Sequence, residues 1–296
     1  MTSLAARREG LWLLVALALL WGVNWPAMKL AVAEVGPWTF RTICLYVGAA
    51  GLFAVGYLRG LDLRLPRGRV LALAASSFLN ITIWHVTSAY GLVVMSAGRA
   101  VLIAFTMPLW ASLLGAVLLG ERLSLRKIGA LLCGIAGLGL LALPAGDALA
   151  QSPVGLALML AAAIGWAVGT VVVKAMRFAM SAVTLTAWQL AIGGVPVLVG
   201  MVVFEGGGSG FAHGLPSLPS LVGLVYAATV PMIFCHWAWY RVLEILPASL
   251  ASIGTLAVPV VGVLSSALLL GEALGWAEIA AMACVVAALA LALLQF

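Results

Sequence analysis

The chain has 296 residues, of which 65% are hydrophobic and only 8% are charged, whereas soluble proteins average about 25% charged residues. With a mean hydropathy of +1.21, the chain has no room for a sizeable aqueous domain. The formal net charge of +6 comes mostly from residues at the ends of apolar runs, which argues against a nucleic-acid partner. The composition therefore predicts an integral membrane protein.

Ten runs are apolar enough to cross a bilayer, which takes about 20 residues in a helix. They are 11–32, 38–58, 70–92, 98–119, 126–143, 153–173, 182–204, 217–240, 248–270 and 276–294. We predict an all-α integral membrane protein with ten transmembrane helices, preceded by a short cytoplasmic N-terminus, residues 1–10.

The positive charges orient these spans. With the N-terminus in the cytoplasm, twelve Lys and Arg residues fall on the inner side, and only Lys29 and Arg99 fall near the outer side, as the positive-inside rule requires. The inner residues are Arg7, Arg8, Arg59, Arg64, Arg67, Arg69, Arg122, Arg126, Lys127, Lys174, Arg177 and Arg241. We expect a multi-pass protein of the cell inner membrane, in contact with lipids, with both termini in the cytoplasm.

The first span carries a polar and aromatic face. Trp21, Asn24, Trp25 and Met28 recur at i, i+3, i+4 and i+7, so they share one side of the helix. Lys29 follows near the outer interface, where it either anchors the helix end or takes part in gating. Arg7-Arg8 before an apolar run also resembles the start of a signal peptide. We keep the span because the second half of the chain repeats it.

Polar residues continue at mid-membrane depth in the second and third spans. Arg41 lies in span two, and Asn80, Trp84 and His85 lie in span three. Unpaired polar groups are unfavourable in the bilayer, so such residues usually face a cavity or a partner. Arg41 is a candidate to contact a carboxylate. His85 either relays protons, since the ordinary histidine pKa lies near 6.5, or forms a packing hydrogen bond.

Span four begins with Arg99, which either contacts a carboxylate or extends to the outer interface. Pro108 lies mid-span and removes a backbone hydrogen bond, which produces either a hinge or a static bend. Glu121 ends the span, where we expect it to tether the helix end to a neighbouring loop. Span five is rich in Gly and Ala, which allows close packing within one half or between protomers. The sequence is compatible with a monomer and with a homodimer.

The second half follows a non-helical linker, 144–152, which we place on the periplasmic side. Its aromatic and polar residues at mid-span depth, in spans six, seven and eight, are Trp166, Thr170, Trp188, Gln189, Tyr226, His236 and Trp237. Lys174 ends span six as Lys29 ends span one. Pro259 lies in span nine as Pro108 lies in span four, and it likewise produces either a hinge or a static bend. Glu272 ends span nine as Glu121 ends span four, and we expect it to tether the helix end to a neighbouring loop.

The two halves share a spacing pattern. A Trp eight residues before a Lys occurs at Trp21 and Trp166, and a Pro twelve residues before Gly-Glu occurs at Pro108 and Pro259. Each half holds five spans, an odd number, so the second half enters the membrane from the opposite side. We predict two inverted five-helix repeats, 11–143 and 153–294, an arrangement typical of carriers with alternating access.

Eleven tryptophans are present. Trp12, Trp38 and Trp276 lie at span starts, where an interfacial aromatic belt explains them. The deeper ones share faces with amides and hydroxyls, which favours a cavity over ordinary helix packing. An aromatic, weakly polar cavity suits an amino acid or similar amphipathic molecule. The four cysteines have no metal-like spacing, and no Asp or Glu lies near a span centre, so we expect no metal site, no cofactor and no carboxylate-driven ion coupling.

The paired Trp-Lys and Pro-Gly-Glu stretches, together with Arg41, resemble the EamA family of the drug/metabolite transporter superfamily, over residues 11–294. The resemblance implies ten helices in two inverted repeats. The aromatic faces of spans one, three, six and eight are similar to the aromatic amino-acid exporter subgroup of the YddG type. That likeness implies export of aromatic and other apolar amino acids from the cytoplasm.

Three other functions remain open. A lipophilic-cation or drug exporter would exploit the attraction of cations to aromatic walls, although no intramembrane carboxylate would balance the charge. A polytopic membrane enzyme would need an acid–base pair or a metal cluster, and the sequence offers His85 and His236 without a carboxylate partner. The third alternative function is a passive channel.

Overall fold

The computed structural model describes residues 4–65, 68–119, 125–142, 152–176, 178–207, 214–245 and 257–293, and the regular structure within these ranges is entirely helical. The α-helices are α1 (Leu4–Glu34), α2 (Pro37–Leu58), α3 (Val70–Ser77), α4 (Trp84–Val94), α5 (Ala97–Ala104), α6 (Met107–Leu119), α7 (Leu125–Ala142), α8 (Pro153–Met176), α9 (Ala182–Phe204), α10 (Leu218–Thr229), α11 (His236–Ile245), α12 (Ala257–Leu270) and α13 (Trp276–Leu293). The predicted all-α class is confirmed for this part of the chain.

Seven segments of the described chain are long and apolar enough to cross a membrane: 7–34, 37–58, 70–94, 97–118, 153–173, 182–204 and 218–239. Three further apolar helices are shorter, at Ile128–Gly137, Ala257–Leu270 and Trp276–Ala288. Each of the ten overlaps one predicted run. The run 248–270 begins in residues outside the described ranges, so its helix is described only from Ala257.

Two spans contain a π-helical segment near their middle. Residues Phe78–Ile83 join α3 to α4, and residues Val230–Cys235 join α10 to α11. We call them the first and second π segments. They occupy corresponding positions in the third and eighth predicted spans. Such segments often mark functional sites in helices, and the hydropathy pattern does not predict them.

The fourth predicted span is two helices, not one. Helix α5 ends at Ala104, Phe105 and Thr106 form a turn, and α6 begins at Met107. Pro108 is therefore the second residue of a new helix and not a kink inside a continuous one. A proline is well tolerated there, because the first turn of a helix has no intrahelical acceptor for its N–H. Pro259 likewise lies in the first described turn of α12.

Packing between the helices follows a pattern that relates the two halves of the chain. Helix α1 packs against α10 and α12, while α8 packs against α4 and α6. Helix α2 packs against α9, and α7 packs against α13. If the first five predicted spans are exchanged with the last five, the two pairs of α1 are converted into the two pairs of α8, and the pairs α2–α9 and α7–α13 are each converted into themselves.

Carboxylates from the second half cap helix N-termini of the first half. Glu205 accepts hydrogen bonds from the backbone N–H groups of Trp38 (3.0 Å) and Thr39 (2.8 Å) at the start of α2. Glu272 accepts from Ala97 N (2.7 Å) and Gly98 N (2.9 Å) at the start of α5. Both carboxylates satisfy N–H groups that lack intrahelical partners and oppose the positive end of the helix dipole.

Candidate substrate cavity

A cavity of about 540 Å³ lies between helices of both halves. Its volume falls in the range of roughly 300–1,000 Å³ typical of small-molecule sites. The lining residues are Trp21, Asn24, Trp25, Met28, Arg41, Asn80, Ile81, Trp84, His85, Ser88, Phe105, Met107, Trp166, Thr170, Thr186, Gln189, Leu190, Pro231, Met232, His236, Trp239 and Val258. Most of them are aromatic, aliphatic or uncharged polar, so the wall is largely apolar with scattered hydrogen-bonding groups.

Helix α1 contributes the face that its residue spacing predicts. Trp21, Asn24, Trp25 and Met28 all line the cavity. The corresponding helix of the second half, α8, contributes Trp166 and Thr170 at the positions equivalent to Trp21 and Trp25. The two helices thus present one aromatic side chain each from equivalent positions in the two halves.

The first π segment and α4 form another part of the wall, through Asn80, Ile81, Trp84, His85 and Ser88. Helix α8 approaches this segment at a residue without a side chain, because the amide of Asn80 occupies the space where a Cβ on Gly169 would lie. The side-chain oxygens of Asn24 and Asn80 are buried and accept no hydrogen bond from the described residues.

Aromatic rings cluster at the end of the cavity that is formed by α1 and α11. The ring centroids of Trp21 and His236 lie 6.3 Å apart in an edge-to-face arrangement, and those of Trp21 and Trp239 lie 6.1 Å apart. Rings at these separations attract each other through their quadrupoles.

Ten of the predicted cavity residues meet at this wall: Trp21, Asn24, Trp25, Asn80, Trp84, His85, Trp166, Thr170, Gln189 and His236. Three others have side chains engaged elsewhere. Trp188 Nε1 donates to Leu63 O (2.9 Å), and Tyr226 Oη donates to Leu20 O (2.8 Å). Trp237 packs against the apolar cluster of α1 and α11 and against the Phe234 ring. The sequence-based prediction used only residue type and depth in the span, and neither of these indicates that a side chain has a partner outside the cavity.

Some lining residues were missed, and part of the signal was in the sequence. Thr186 precedes Gln189 by three residues and Trp239 follows His236 by three, so helical phase places each beside a residue that was predicted. Phe105 and Met107 line the cavity because the chain turns between α5 and α6. Pro231 and Met232 belong to the second π segment. Neither the turn nor the π segment follows from hydropathy.

Arg41 is the one formally charged side chain among the described residues that line the cavity. It is 1% exposed. Its Nε donates to His85 O (3.0 Å), one Nη donates to Ser88 Oγ (2.9 Å), and the other Nη lies 3.3 Å from Met28 Sδ. A guanidinium has five N–H donors, so these three contacts leave two of them unused. No carboxylate of the described chain lies within ion-pair distance of Arg41.

Arg99, the second residue considered for carboxylate binding, is held inside the protein. Its Nε lies 3.2 Å from Glu278 Oε1, and both side chains are buried. Arg99 is not among the described residues that line the cavity, and it is 1% exposed. The pairing joins the start of α5 to the first turn of α13, a long-range contact that the sequence does not reveal.

The two intramembrane histidines differ in their hydrogen bonds. His236 Nδ1 lies 2.8 Å from Pro231 O, and the carbonyl can only accept, so the ring nitrogen donates. His85 Nδ1 is buried and has no hydrogen-bond partner among the described residues. Neither pairs with a carboxylate there. The described residues also contain no group of three His, Cys, Asp or Glu that could hold a metal ion.

The predicted anchoring and gating residues lie at helix ends. Lys29 Nζ donates to Met95 O (2.9 Å) and to Leu92 O at the C-terminal end of α4, where a positive charge complements the helix dipole. Lys174 lies in the last turn of α8. Glu272 caps α5. Glu121 lies outside the described residues.

Comparison with known proteins gives the family. The profile of the EamA-like transporter family matches two successive segments, residues 8–143 and 153–294. The chain belongs to this family. It is therefore a multi-pass membrane transporter of the EamA type, and the predicted family resemblance is confirmed.

Several EamA relatives cover most of the chain. The uncharacterized transporter YvbV of Bacillus subtilis (strain 168) is 28% identical, over 94% of this chain and 90% of its own length. A probable amino-acid metabolite efflux pump of Escherichia coli (strain K12) is 27% identical, over 91% and 89%. Its namesake in Salmonella typhimurium is 28% identical, over 96% and 94%.

A solved crystal structure of another protein has the same fold. It superposes with a TM-score of 0.64 at 23% sequence identity, covering 94% of this chain and 96% of that one. At this identity the likeness concerns the fold alone. It extends over almost the whole chain.

Proposed function

We propose that this EamA-family protein exports amino acids, chiefly aromatic and other apolar ones, from the cytoplasm by alternating access. The observation that carries the proposal is the composition of the cavity wall. Trp21, Trp84 and Trp166 supply ring faces, while Asn24 and Thr170 supply amide and hydroxyl groups. An amphipathic molecule with an apolar side chain and a polar end satisfies both kinds of surface.

The alternating-access part of the proposal is supported by two independent observations. The family profile matches the chain twice, and the set of helix packing pairs is unchanged when the two halves are exchanged. We propose ten spans in two inverted five-helix repeats, residues 11–143 and 153–294, joined by 144–152. In this arrangement the cavity lies between the repeats, so rocking one against the other opens it to one side at a time. The cell inner membrane and cytoplasmic termini belong to the same proposal.

The relatives named as probable amino-acid metabolite efflux pumps support the substrate class. Within the family, we propose that the protein belongs to the aromatic amino-acid exporter subgroup of the YddG type. Facilitated, downhill export fits the cavity better than coupled transport, since no Asp or Glu is among its described lining residues. A lipophilic-cation exporter is disfavoured because the cavity wall already holds a cation, Arg41.

Counterflow in proteoliposomes tests the proposal. Vesicles loaded with unlabelled tryptophan, methionine or threonine should accumulate the labelled amino acid transiently, and protein-free vesicles should not. Folded protein that exchanges none of the three would overturn the proposed substrate class.

A further inference from the structure

Arg41 places a positive charge at the wall of the cavity, and no carboxylate of the described residues pairs with it. Its guanidinium is buried, and the acceptors it contacts within the described chain are a carbonyl, a hydroxyl and a thioether, all of them neutral. The six carboxylates whose contacts are described lie elsewhere: Glu9 with Arg241, Glu34 with Ser217, Asp62 with Arg64 N, Glu205 and Glu272 at helix N-termini, and Glu278 with Arg99.

A buried charge without a counter-charge is unfavourable, and the cost falls when an ion of opposite sign binds. Arginine is the residue best suited to this, since two parallel N–H groups match the two oxygens of a carboxylate. The contacts of Arg41 to His85 O and Ser88 Oγ hold the guanidinium in position before a ligand arrives. Preorganisation of this kind lowers the entropy lost on binding.

The described lining of the cavity offers no matching negative charge for an ammonium group. The amides of Asn24 and Asn80, whose side-chain oxygens accept no hydrogen bond from the described residues, are neutral and would not balance an ammonium. The described lining contains no Asp or Glu. A zwitterion therefore balances Arg41 but brings an ammonium that no described lining residue balances, whereas a monoanion neutralises the charge of the described lining.

We propose that the cavity is a site for apolar and aromatic monocarboxylates, in which Arg41 binds the carboxylate and the α-amino group of an amino acid is dispensable. This inference rests on the proposed function, because it assigns the polar end of the same cavity. It extends the substrate class from amino acids to their desamino and 2-oxo counterparts, whose rings or aliphatic chains contact the same tryptophans.

Binding to the unaltered protein provides the first test. Labelled 3-(indol-3-yl)propionate, which is tryptophan without its amino group, is bound to protein in lipid nanodiscs and displaced by unlabelled compounds, with protein-free nanodiscs as the blank. The acid itself should displace at least as well as tryptophan. Tryptamine, which lacks the carboxylate, and 3-(indol-3-yl)propionamide, which is neutral, should need roughly tenfold to hundredfold higher concentrations. Displacement by tryptamine or the amide as strong as by the acid would overturn the proposal.

A charge variant gives a second readout that a structural effect of Arg41 would not reproduce. In Arg41→Gln the ratio of acid affinity to amide affinity should fall to near one, whatever happens to the absolute affinities. Arg41→Lys should retain part of the ratio, since it keeps the charge but loses the planar fork. Arg241→Gln, at a half-exposed arginine paired with Glu9, should leave the ratio unchanged. An Arg41→Gln ratio equal to that of the unaltered protein would also overturn the proposal.

The binding assay and the counterflow assay separate the two hypotheses. Binding of the acid without exchange of any amino acid retains the monocarboxylate site and removes amino-acid export. Exchange of tryptophan with no preference for the carboxylate in the binding assay retains amino-acid export and removes the monocarboxylate site. Failure of folded protein in both assays removes both.

Discussion

Met232 packs against Gly48 so closely that a Cβ on Gly48 would lie 2.8 Å from the Cβ of Met232. Ile81 stands in the same relation to Gly193, where the corresponding distance is 2.6 Å. Met232 belongs to the second π segment and Ile81 to the first, and each meets a glycine from the other half of the chain. These two glycines let both π segments approach the opposite half closely enough to form the cavity wall.

Alanine at either glycine should therefore push a π segment outward. We expect Gly48→Ala and Gly193→Ala each to lower the free energy of unfolding by about 1–3 kcal/mol, as overpacking does, and to slow counterflow. Gly193→Ala should have the larger effect, because Ser77 O of the backbone is also in the way, at 2.8 Å.

The matched control is Gly139→Ala, since Gly139 lies in a helix with no atom within 4 Å of its missing Cβ. Alanine there should be neutral or slightly stabilising. The apparent melting temperature of the purified protein in one detergent measures all three variants. Equal melting temperatures for Gly48→Ala, Gly193→Ala and Gly139→Ala would show that the π segments tolerate displacement.

The carboxylate caps predict a second set of stability effects. Glu205→Ala and Glu272→Ala each remove two charge-assisted hydrogen bonds to backbone N–H groups. Loss of a helix cap destabilises proteins by about 0.5–2 kcal/mol, so both variants should melt at lower temperature. Glu9→Ala removes an ion pair that is largely exposed to solvent and should change stability by about 0–1 kcal/mol. A Glu272→Ala protein as stable as Glu9→Ala would contradict the capping role.

Much of the fold was predictable because hydropathy is a strong local signal. The predicted runs 153–173 and 182–204 coincide with apolar segments of the structure, since transmembrane helices satisfy all backbone hydrogen bonds within themselves and need only a long apolar stretch. The break at Phe105 and the two π segments were not predictable. They depend on how the helices pack around the cavity, and no residue type marks them.

The site was predictable where it rests on helical phase. Trp21, Asn24 and Trp25 lie on one face of α1 and all reach the cavity. Phase alone could not assign Tyr226, whose hydroxyl reaches Leu20 O on another helix. Arg99 and Glu278 are 179 residues apart in the sequence, and only the folded chain brings them together. Prediction thus failed where a polar side chain finds a distant partner inside the protein.

The Arg99–Glu278 pair should behave as a buried ion pair. Breaking such a pair by removing one member costs about 3–5 kcal/mol, because the remaining charge stays buried without its partner. We expect Arg99→Met and Glu278→Leu each to be strongly destabilised. The double variant should lose less than the sum of the two, since it buries no unpaired charge at that position. Arg241→Met, at the exposed pair with Glu9, is the control. Additive losses in the double variant would argue against direct coupling.

Transport should depend on the tryptophans of the cavity and not on those at the surface. Trp21→Ala and Trp166→Ala each remove a ring from the wall, and aromatic pairs contribute about 0.5–1.5 kcal/mol each. We expect the half-saturating concentration for tryptophan counterflow to rise roughly two- to tenfold in each variant. Trp12→Ala and Trp276→Ala, at residues 69% and 68% exposed, should leave it unchanged. Unaltered counterflow in folded Trp21→Ala and Trp166→Ala proteins would place the substrate elsewhere.

The proposed orientation of the two halves is tested by labelling from one side of the membrane. Arg64, between α2 and α3, and Leu215, between α9 and α10, are both exposed. Because the proposed second repeat is inverted, these equivalent loops should lie on opposite sides. A membrane-impermeant maleimide should label Leu215→Cys in intact cells and Arg64→Cys only after permeabilisation. The four native cysteines are buried or half-buried, so the unaltered protein supplies the background. Labelling of both positions from the same side would rule out an inverted second repeat. It would also rule out the proposed alternating access, which depends on two opposed repeats that rock about the cavity.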